Sequence, residues 1–345
     1  MYITKLILQN FRNIGYGKLD FAGPNGGITA LVGPNCIGKT NTIKVLEILK
    51  YVLERDFKNL NTTNIIKVGA NTATITAWFK QADFETCYSF EISQNSYGCN
   101  EIINEYFCFR NKEYRLKRYY LQDKPIPKPI GLKLFNMLQE WAQYIYVYHK
   151  PLTPIFKDSR LLRDIFPDIL VFRRDNKYFI QRGETLTPIE YESNNFLQVS
   201  DLSYFICNEV KSTEGIIAID DIDMELYGIS SKKLIEALGN IECRPQVLLT
   251  SHQLGIIDTW GACPIYMTTN SENKFVHICP RGNSTNMTTY YRAAILGGAK
   301  EELYKDVDST NLKVEMSRHW GYHKDDYESL YGIPEWQYNK NKELG

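Results

Sequence analysis

The sequence predicts an α/β fold with a mostly parallel core sheet, an antiparallel β subdomain and a helical lobe. Three observations predict it. An apolar strand, a glycine-bearing turn and an amphipathic helix follow one another across "ITALVGPNCIGKTNTIKVLEIL". Two more short apolar strands, Ile216 to Ile219 and Val247 to Thr250, flank a helical stretch near Ser231 to Leu238, the βαβ pattern of a parallel sheet. "TATITAWFKQ" and "TCYSFEIS" alternate with period two, as an antiparallel pair does.

Taken in order, residues 2 to 32 read as two strands in a hairpin-like lead-in, then a strand that feeds a turn. The turn, Gly33-Pro34-Asn35-Cys36-Ile37-Gly38-Lys39-Thr40, fits G-x-x-x-x-G-K-[ST]. That pattern has meaning only after a strand and before a helix, and both flanks are present. Ile28 to Val32 is β-prone; Val45, Ile48, Leu49, Val52 and Leu53 recur on one helical face. Glycines let backbone N–H groups close around phosphate oxygens, and a helix N-terminus adds positive potential. Lys39 is then the β- and γ-phosphate contact, and the Thr40 hydroxyl a Mg²⁺ ligand.

The helix is expected from about Lys39 to Asp56, and residues 100 to 140 are mixed, interrupted by "KPIPKPIG". "YIYVYH" is a strand ending at His149, residues 151 to 168 are expected to be helical, and "ILVFRRDNKYFIQRG" is a hairpin turning at Asp175-Asn176. A helix is expected from about Asp201 to Lys211, and the tail from about Tyr304 is polar and aromatic. The expected organisation is one head across 1–345. An N-terminal lobe spans 1–99, a variable insert and helical region 100–168, a C-terminal lobe 169–300 and an extension 301–345.

Composition narrows the function classes. The chain has 345 residues, 43% of them hydrophobic, enough for a substantial core. Its 40 basic and 40 acidic residues cancel, so any attraction to nucleic acid must come from a local patch. No run approaches the length of a membrane span, and the opening "MYITKLILQNFRN" alternates like a strand rather than a signal peptide. The eight cysteines are scattered without a C-x-x-C pair, which fits a reducing, cytoplasmic setting. No heptads are sustained, so no long coiled-coil arm is expected.

"GIIAIDDID" ends a buried strand in two carboxylates. Beside a phosphate-binding loop, that is where Mg²⁺ is held: Asp220 is the candidate ligand, Asp221 the candidate general base for an attacking water. "VLLTSHQ" ends another strand in Thr250-Ser251-His252. The C-terminal edge of a parallel sheet is the ligand edge, which makes His252 a candidate donor to a γ-phosphate oxygen.

The order "LILQNFRN", "GPNCIGKTN", "IIAIDDID", "VLLTSHQ" resembles the RecF/OLD/SMC-like branch of the ABC-type AAA ATPases. The resemblance covers residues 1 to 55 and about 165 to 265; it is weak from 60 to 150. It implies a P-loop NTPase head that uses ATP and Mg²⁺ and self-associates, with ATP sandwiched between heads. It implies nucleotide contact by Asn41 and Arg12 as well, although Arg12 reads equally as a solvated strand-end arginine. His252 matches the family's switch histidine.

The chain departs from the family pattern in three places. Asp221 stands where most relatives have glutamate. The best match to the signature serine is Ser200 in "LQVSDLSYF", without the usual glycine; it reads equally as a helix N-cap. No glutamine follows "YIYVYH", where His149 or Lys150 stands instead.

Arg110, Lys112, Arg115, Lys117 and Arg118 are interleaved with Tyr114, Tyr119 and Tyr120. This suits nucleic-acid contact, and equally a solvated hairpin face or a docking surface. Neither a TOPRIM-like acidic cluster nor an H-N-H-like segment is found. The expected function is therefore a regulatory ATPase that controls a separately encoded nuclease or toxin in anti-phage defence. The alternatives are a RecF-like DNA-repair ATPase and a non-hydrolysing ATP sensor. A small-molecule kinase would share the loop but not "NFRN" or the strand-end histidine.

Overall fold

The computed structural model describes residues 1–23, 28–33, 38–61, 64–82, 84–109, 112–115, 129–149, 151, 153–222, 238, 245–252, 265–268 and 274–278. All belong to the first of the two units into which the chain divides, Met1–Leu303 and Tyr304–Gly345.

Three sheets organise these residues. The core sheet contains β3 (Ile28–Val32), β8 (Ile145–Tyr148), β12 (Ile216–Ile219), β13 (Gln246–Ser251), β14 (Ile265–Thr268) and β15 (Phe275–Ile278), in the order β15-β14-β3-β13-β12-β8. Every neighbouring pair is parallel except β14 with β15. The residues of β3, β12 and β13 are all buried, which explains their unbroken apolar runs.

The second sheet is antiparallel: β1 (Tyr2–Phe11), β2 (Ile14–Asp20), β4 (Thr72–Gln81), β5 (Phe84–Gln94), β6 (Asn100–Phe109) and β7 (Lys112–Arg115), in the order β2-β1-β4-β5-β6-β7. The helix α1 (Lys39–Glu54) packs its apolar stripe into a core shared with this sheet and with α3 (Pro129–Ala142), while the short α2 (Phe57–Asn61) follows it. Gln246 staples the two sheets. Its side-chain amide donates to the carbonyls of Ile3 and Ala22 at 2.8 Å each, and its oxygen accepts from the Ile3 amide at 2.8 Å. Gly215 leads into β12 so close to Tyr144 that a Cβ would lie 2.1 Å from the Tyr144 carbonyl oxygen. Only glycine fits there.

The third sheet, β9 (Ile169–Arg174), β10 (Lys177–Arg182) and β11 (Thr185–Pro188), covers α5 (Asn194–Tyr204). Ile180, Phe196, Val199 and Leu202 form part of a second core on the other face of the central sheet. Asp175 and Asn176 both have positive φ, 51° and 58°, as a two-residue hairpin of the expected kind requires.

Two expectations need correcting. Among the described residues of 151–168, only α4 (Arg160–Ile165) is helical. Pro151 and Pro154 disfavour helix before it, and Ser159 caps it by accepting from the Leu162 amide at 3.2 Å. The helix expected at Asp201 begins earlier, at Asn194, capped by Ser193, and passes into a π-helical turn at Phe205–Glu209. The stretch near Ser231 to Leu238 lies outside the described residues apart from Leu238.

Candidate functional site

The site lies at the C-terminal edge of the core sheet, where β3, β12, β13 and β8 end side by side. The parallel register brings the strand ends into line: Ile219 pairs with Leu249 and Tyr148, and Ser251 with Val32. The chain leaves β3 through Gly33, whose amide donates to the Ser251 carbonyl at 3.3 Å.

Gly38 re-enters the described structure with φ 115°, at the N-terminus of α1. A Cβ on Gly38 would lie 2.7 Å from Asn13 Oδ1, so close approach and conformation both require glycine. Pro34, Asn35, Cys36 and Ile37 lie outside the described residues. Lys39 is buried, yet its ammonium is not stranded. It donates to the Gly33 carbonyl at 2.8 Å and contacts His252 Nδ1 at 3.0 Å. The far ring nitrogen, His252 Nε2, lies 2.9 Å from Asp221 Oδ1. Lys39 has only protons to give, so Nδ1 accepts from it. Lys39, His252 and Asp221 thus form one line of close contacts, hydrogen-bonded at its Lys39–His252 end and at ion-pair distance at its Asp221 end.

Thr250 organises the strand ends. Its hydroxyl donates to Asp220 Oδ1 at 2.6 Å and accepts from the Asp221 amide at 2.7 Å. Asp221 takes a left-handed conformation, φ 49°, just where the chain turns out of β12. Asp220 is mostly buried. Burial opposes its ionisation, but hydrogen bonds from His149, Thr250 and Thr40 outweigh it and hold the carboxyl below its usual range. His149, one residue past β8, lies between Glu47 Oε1 at 2.9 Å and Asp220 Oδ2 at 3.8 Å. Its two acidic neighbours raise its pKa to about 9 against the opposing effect of burial.

The Thr40 hydroxyl is one of the groups that hold the Asp220 carboxyl down, so the two lie near each other. These are hard oxygen donors and suit Mg²⁺. Among the described residues, no group of three or more His, Cys, Asp or Glu side chains is arranged to hold an ion by itself. Mg²⁺ typically takes one or two protein ligands and fills the rest of its shell from phosphate and water.

Arg12 is not a solvated strand-end residue. It is half-buried, with Nη1 donating to Asn41 Oδ1 at 2.9 Å and Nε donating to the Asn64 carbonyl at 2.8 Å. Burial lowers its pKa, with Glu47 pulling the other way. Asn41 also donates to Asn13 Oδ1 at 2.7 Å, which braces the start of α1 against β1 and β2.

Ser200 is elsewhere. It is fully buried in the middle of α5, with its hydroxyl donating to the Lys157 carbonyl and accepting from the Lys157 amide, each at 2.8 Å. It neither opens the helix nor faces outward. Ser193 opens it, accepting from the Phe196 amide at 3.3 Å, and Ser193, Asn194 and Asn195 are exposed. The sequence does carry that signal: a serine three residues before Phe196, with Val199 and Leu202 continuing the helical face. Of the basic segment, Arg110, Lys117 and Arg118 lie outside the described residues, while Lys112 and Arg115 bound the edge strand β7.

Comparison with known proteins agrees with this geometry. Residues 1–151 match the AAA ATPase domain family. The structure is similar to an SMC head bound to the C-winged helix domain of ScpA. The TM-score is 0.51 at 15% identity, over 81% of this chain and 98% of that one. The fold is that of a P-loop ATPase head like the SMC head. Two other SMC heads are also similar. One comes from Thermotoga maritima, with TM-score 0.46, 16% identity and coverage of 81% of this chain and 100% of that one. The other is the Pyrococcus furiosus head with an extended coiled coil, bound to the C-terminal domain of ScpA. Its TM-score is 0.49, with 12% identity and coverage of 87% of this chain and 99% of that one. No curated protein matches the sequence. In this SMC-like head, Lys39 and Thr40 open α1, Asp220 and Asp221 follow β12, and Thr250 lies in β13 with His252 just past its end.

Proposed function

We propose that this SMC-like head binds Mg-ATP, hydrolyses it slowly, and self-associates in the ATP-bound state to control a separate effector protein. The observation that carries the catalytic part is the Lys39–His252–Asp221 line. It ties the lysine expected on the γ-phosphate to the carboxylate expected on the attacking water.

Gly33 to Asn41 would hold the phosphates, with Arg12 at the rim through Asn41. Thr40 and Asp220 would hold Mg²⁺, which supplies charge neutralisation at the β- and γ-phosphate oxygens when bound. Asp221 would accept a proton from water, and His252, with Nε2 2.9 Å from that carboxylate, limits the directions it can take. In the present hydrogen-bonding pattern Lys39 is engaged by Gly33 and His252, so phosphate binding has to exchange those contacts for oxygen. Asp221 is one methylene shorter than glutamate and already engaged by His252, which favours a slow or partner-dependent reaction. A single-turnover assay with radiolabelled ATP tests this. Release of phosphate by the wild type and not by Asp221→Asn supports the reading. No release by the wild type with tight ATP binding supports the sensor alternative.

The self-association part is supported by the exposed N-terminus of α5. The amides of a helix's first turn suit a phosphate presented by a second copy, and Ser193 takes over the role first expected of Ser200. The effector part is supported by the sequence, where no nuclease-like cluster is found. A cytoplasmic anti-phage role and nucleic-acid contact through the basic segment from Arg110 to Arg118 belong to the same proposal. Mass photometry with Mg-ATP, alone and with candidate partners or short duplex DNA, tests them.

A further inference from the structure

Glu47 has no part in the site as drawn so far. It sits on α1, two turns past Thr40, and is only 18% exposed. Both its oxygens are used. Oε2 lies 2.7 Å from Lys44 Nζ, and Oε1 lies 2.9 Å from His149 Nε2. The other ring nitrogen of His149 faces Asp220 Oδ2, at an ion-pair distance of 3.8 Å. The second Asp220 oxygen, Oδ1, is taken by Thr250. The carboxylate expected on Mg²⁺ is therefore hydrogen-bonded at one oxygen and faced at the other by an imidazole, which leads back to a second carboxylate.

We propose that Glu47 is a positioning residue for the Mg²⁺ site, acting through His149 on Asp220. The inference rests on the reading of Asp220 as a Mg²⁺ ligand. A ring held at one nitrogen points its other nitrogen in a fixed direction, here toward the Asp220 oxygen that Thr250 does not bond. Groups behind a metal ligand act in this way, and their loss typically costs about 10- to 100-fold in metal affinity. The placement also has a mechanical consequence: Glu47 shares α1 with Lys39 and Thr40, so the helix that carries the phosphate contacts also sets the metal ligand on β12.

The test uses the full chain and a fluorescent ATP analogue, read by anisotropy, with Mg²⁺ titrated from EDTA upward. Glu47→Ala should raise the Mg²⁺ midpoint by about tenfold or more, with nucleotide affinity in EDTA unchanged. Glu47→Gln keeps an oxygen for the ring nitrogen and should recover most of the loss. In a His149→Ala background, Glu47→Ala should make no further difference, because the pair acts as a unit. Thermal melting of each variant separates misfolding from a site effect, and His149→Gln serves if His149→Ala melts early. An unchanged midpoint in Glu47→Ala overturns the proposal. So does an equal shift in both backgrounds, which would make Glu47 a direct electrostatic contributor. A wild type whose nucleotide binding ignores Mg²⁺ and Asp220→Asn alike overturns the metal reading itself, a different outcome from either.

Discussion

The Thr250 hydroxyl donates to Asp220 Oδ1 at 2.6 Å, and its own oxygen accepts from the amide of Asp221 at 2.7 Å. One buried hydroxyl thus sets both carboxylates, the candidate metal ligand by side chain and the candidate base by backbone. Thr250→Val keeps the shape and removes both bonds. It should cost about 1–3 kcal/mol of stability, because the Asp221 amide and an Asp220 oxygen lose a partner. It should also weaken Mg²⁺-dependent nucleotide binding by about 10- to 100-fold. Chemical denaturation and a Mg²⁺ titration on the same preparation measure the two effects. Wild-type behaviour in both would mean that water replaces the hydroxyl without loss.

Lys39→Ala should abolish tight ATP binding. The substitution removes the only lysine of the loop and also releases His252 from its Nδ1 contact. Calorimetry at micromolar protein should detect no binding heat with Mg-ATP, while the fold, read by circular dichroism, persists. Retained affinity would remove Lys39 from the phosphate contact.

Asp221→Asn should bind ATP and lose about two to four decades in hydrolysis, the usual loss for a positioned general base. His252→Ala should lose part of that rate, since the 2.9 Å contact that aims Asp221 is gone while the base remains. Single-turnover kinetics rank the three proteins. A His252→Ala rate below that of Asp221→Asn would shift the leading role to the histidine.

Arg55 ends α1, and its guanidinium lies 2.8 Å from Glu105 Oε1 and 4.7 Å from the Phe135 ring centre. Tyr88 bonds the same carboxylate from a fully buried position, and its pKa is raised mainly by that burial and by the Glu105 charge. Arg55→Ala leaves Glu105 without its cation in a largely buried place. A fully buried pair broken in this way costs about 3–5 kcal/mol; with Arg55 a quarter exposed, about 2–4 kcal/mol is expected. Equilibrium denaturation measures it. Arg55→Ala together with Glu105→Gln should recover a good part of the loss, because no unpaired charge then remains.

The parts of the fold that the sequence made legible are those where one physical signal dominates. The fully buried strands β3, β12 and β13 are apolar runs ending in polar residues, and the phosphate loop needs its glycines for stated geometric reasons. The illegible parts are those where tertiary contact chose between equivalent readings. Ser193 and Ser200 are both serines beside a helical pattern; the second is consumed by Lys157, a partner forty-three residues away that no local rule reveals. Glu47 reads from sequence as one more polar position on an amphipathic helix. It acquires significance only because the parallel register of β8 and β12 delivers His149 and Asp220 beside it. The expected helix over 151–168 forms, among the described residues, only from Arg160, because Pro151 and Pro154 disfavour it earlier.

The last prediction concerns head-to-head contact. If the N-terminus of α5 receives a phosphate from a second copy, the groups involved are the exposed residues Ser193 to Asn195 and the first amides of the helix. In an Asp221→Asn background, which holds ATP, Mg-ATP should drive self-association and Mg-ADP should not. Ser193→Arg in that background should block the association by bulk, with ATP binding in each head unchanged. Ser193 is exposed and its capping bond is modest, so the fold should lose only about 1 kcal/mol. Ser200→Arg should behave differently. It forces a long charged chain into a fully buried mid-helix site and breaks two bonds to Lys157, so the expected result is unfolding rather than a clean loss of dimer. Sedimentation velocity and thermal melting on the same two variants tell these apart. A dimer that survives Ser193→Arg would place the interface away from α5. A Ser200→Arg protein that melts normally and fails to dimerise would restore the first assignment.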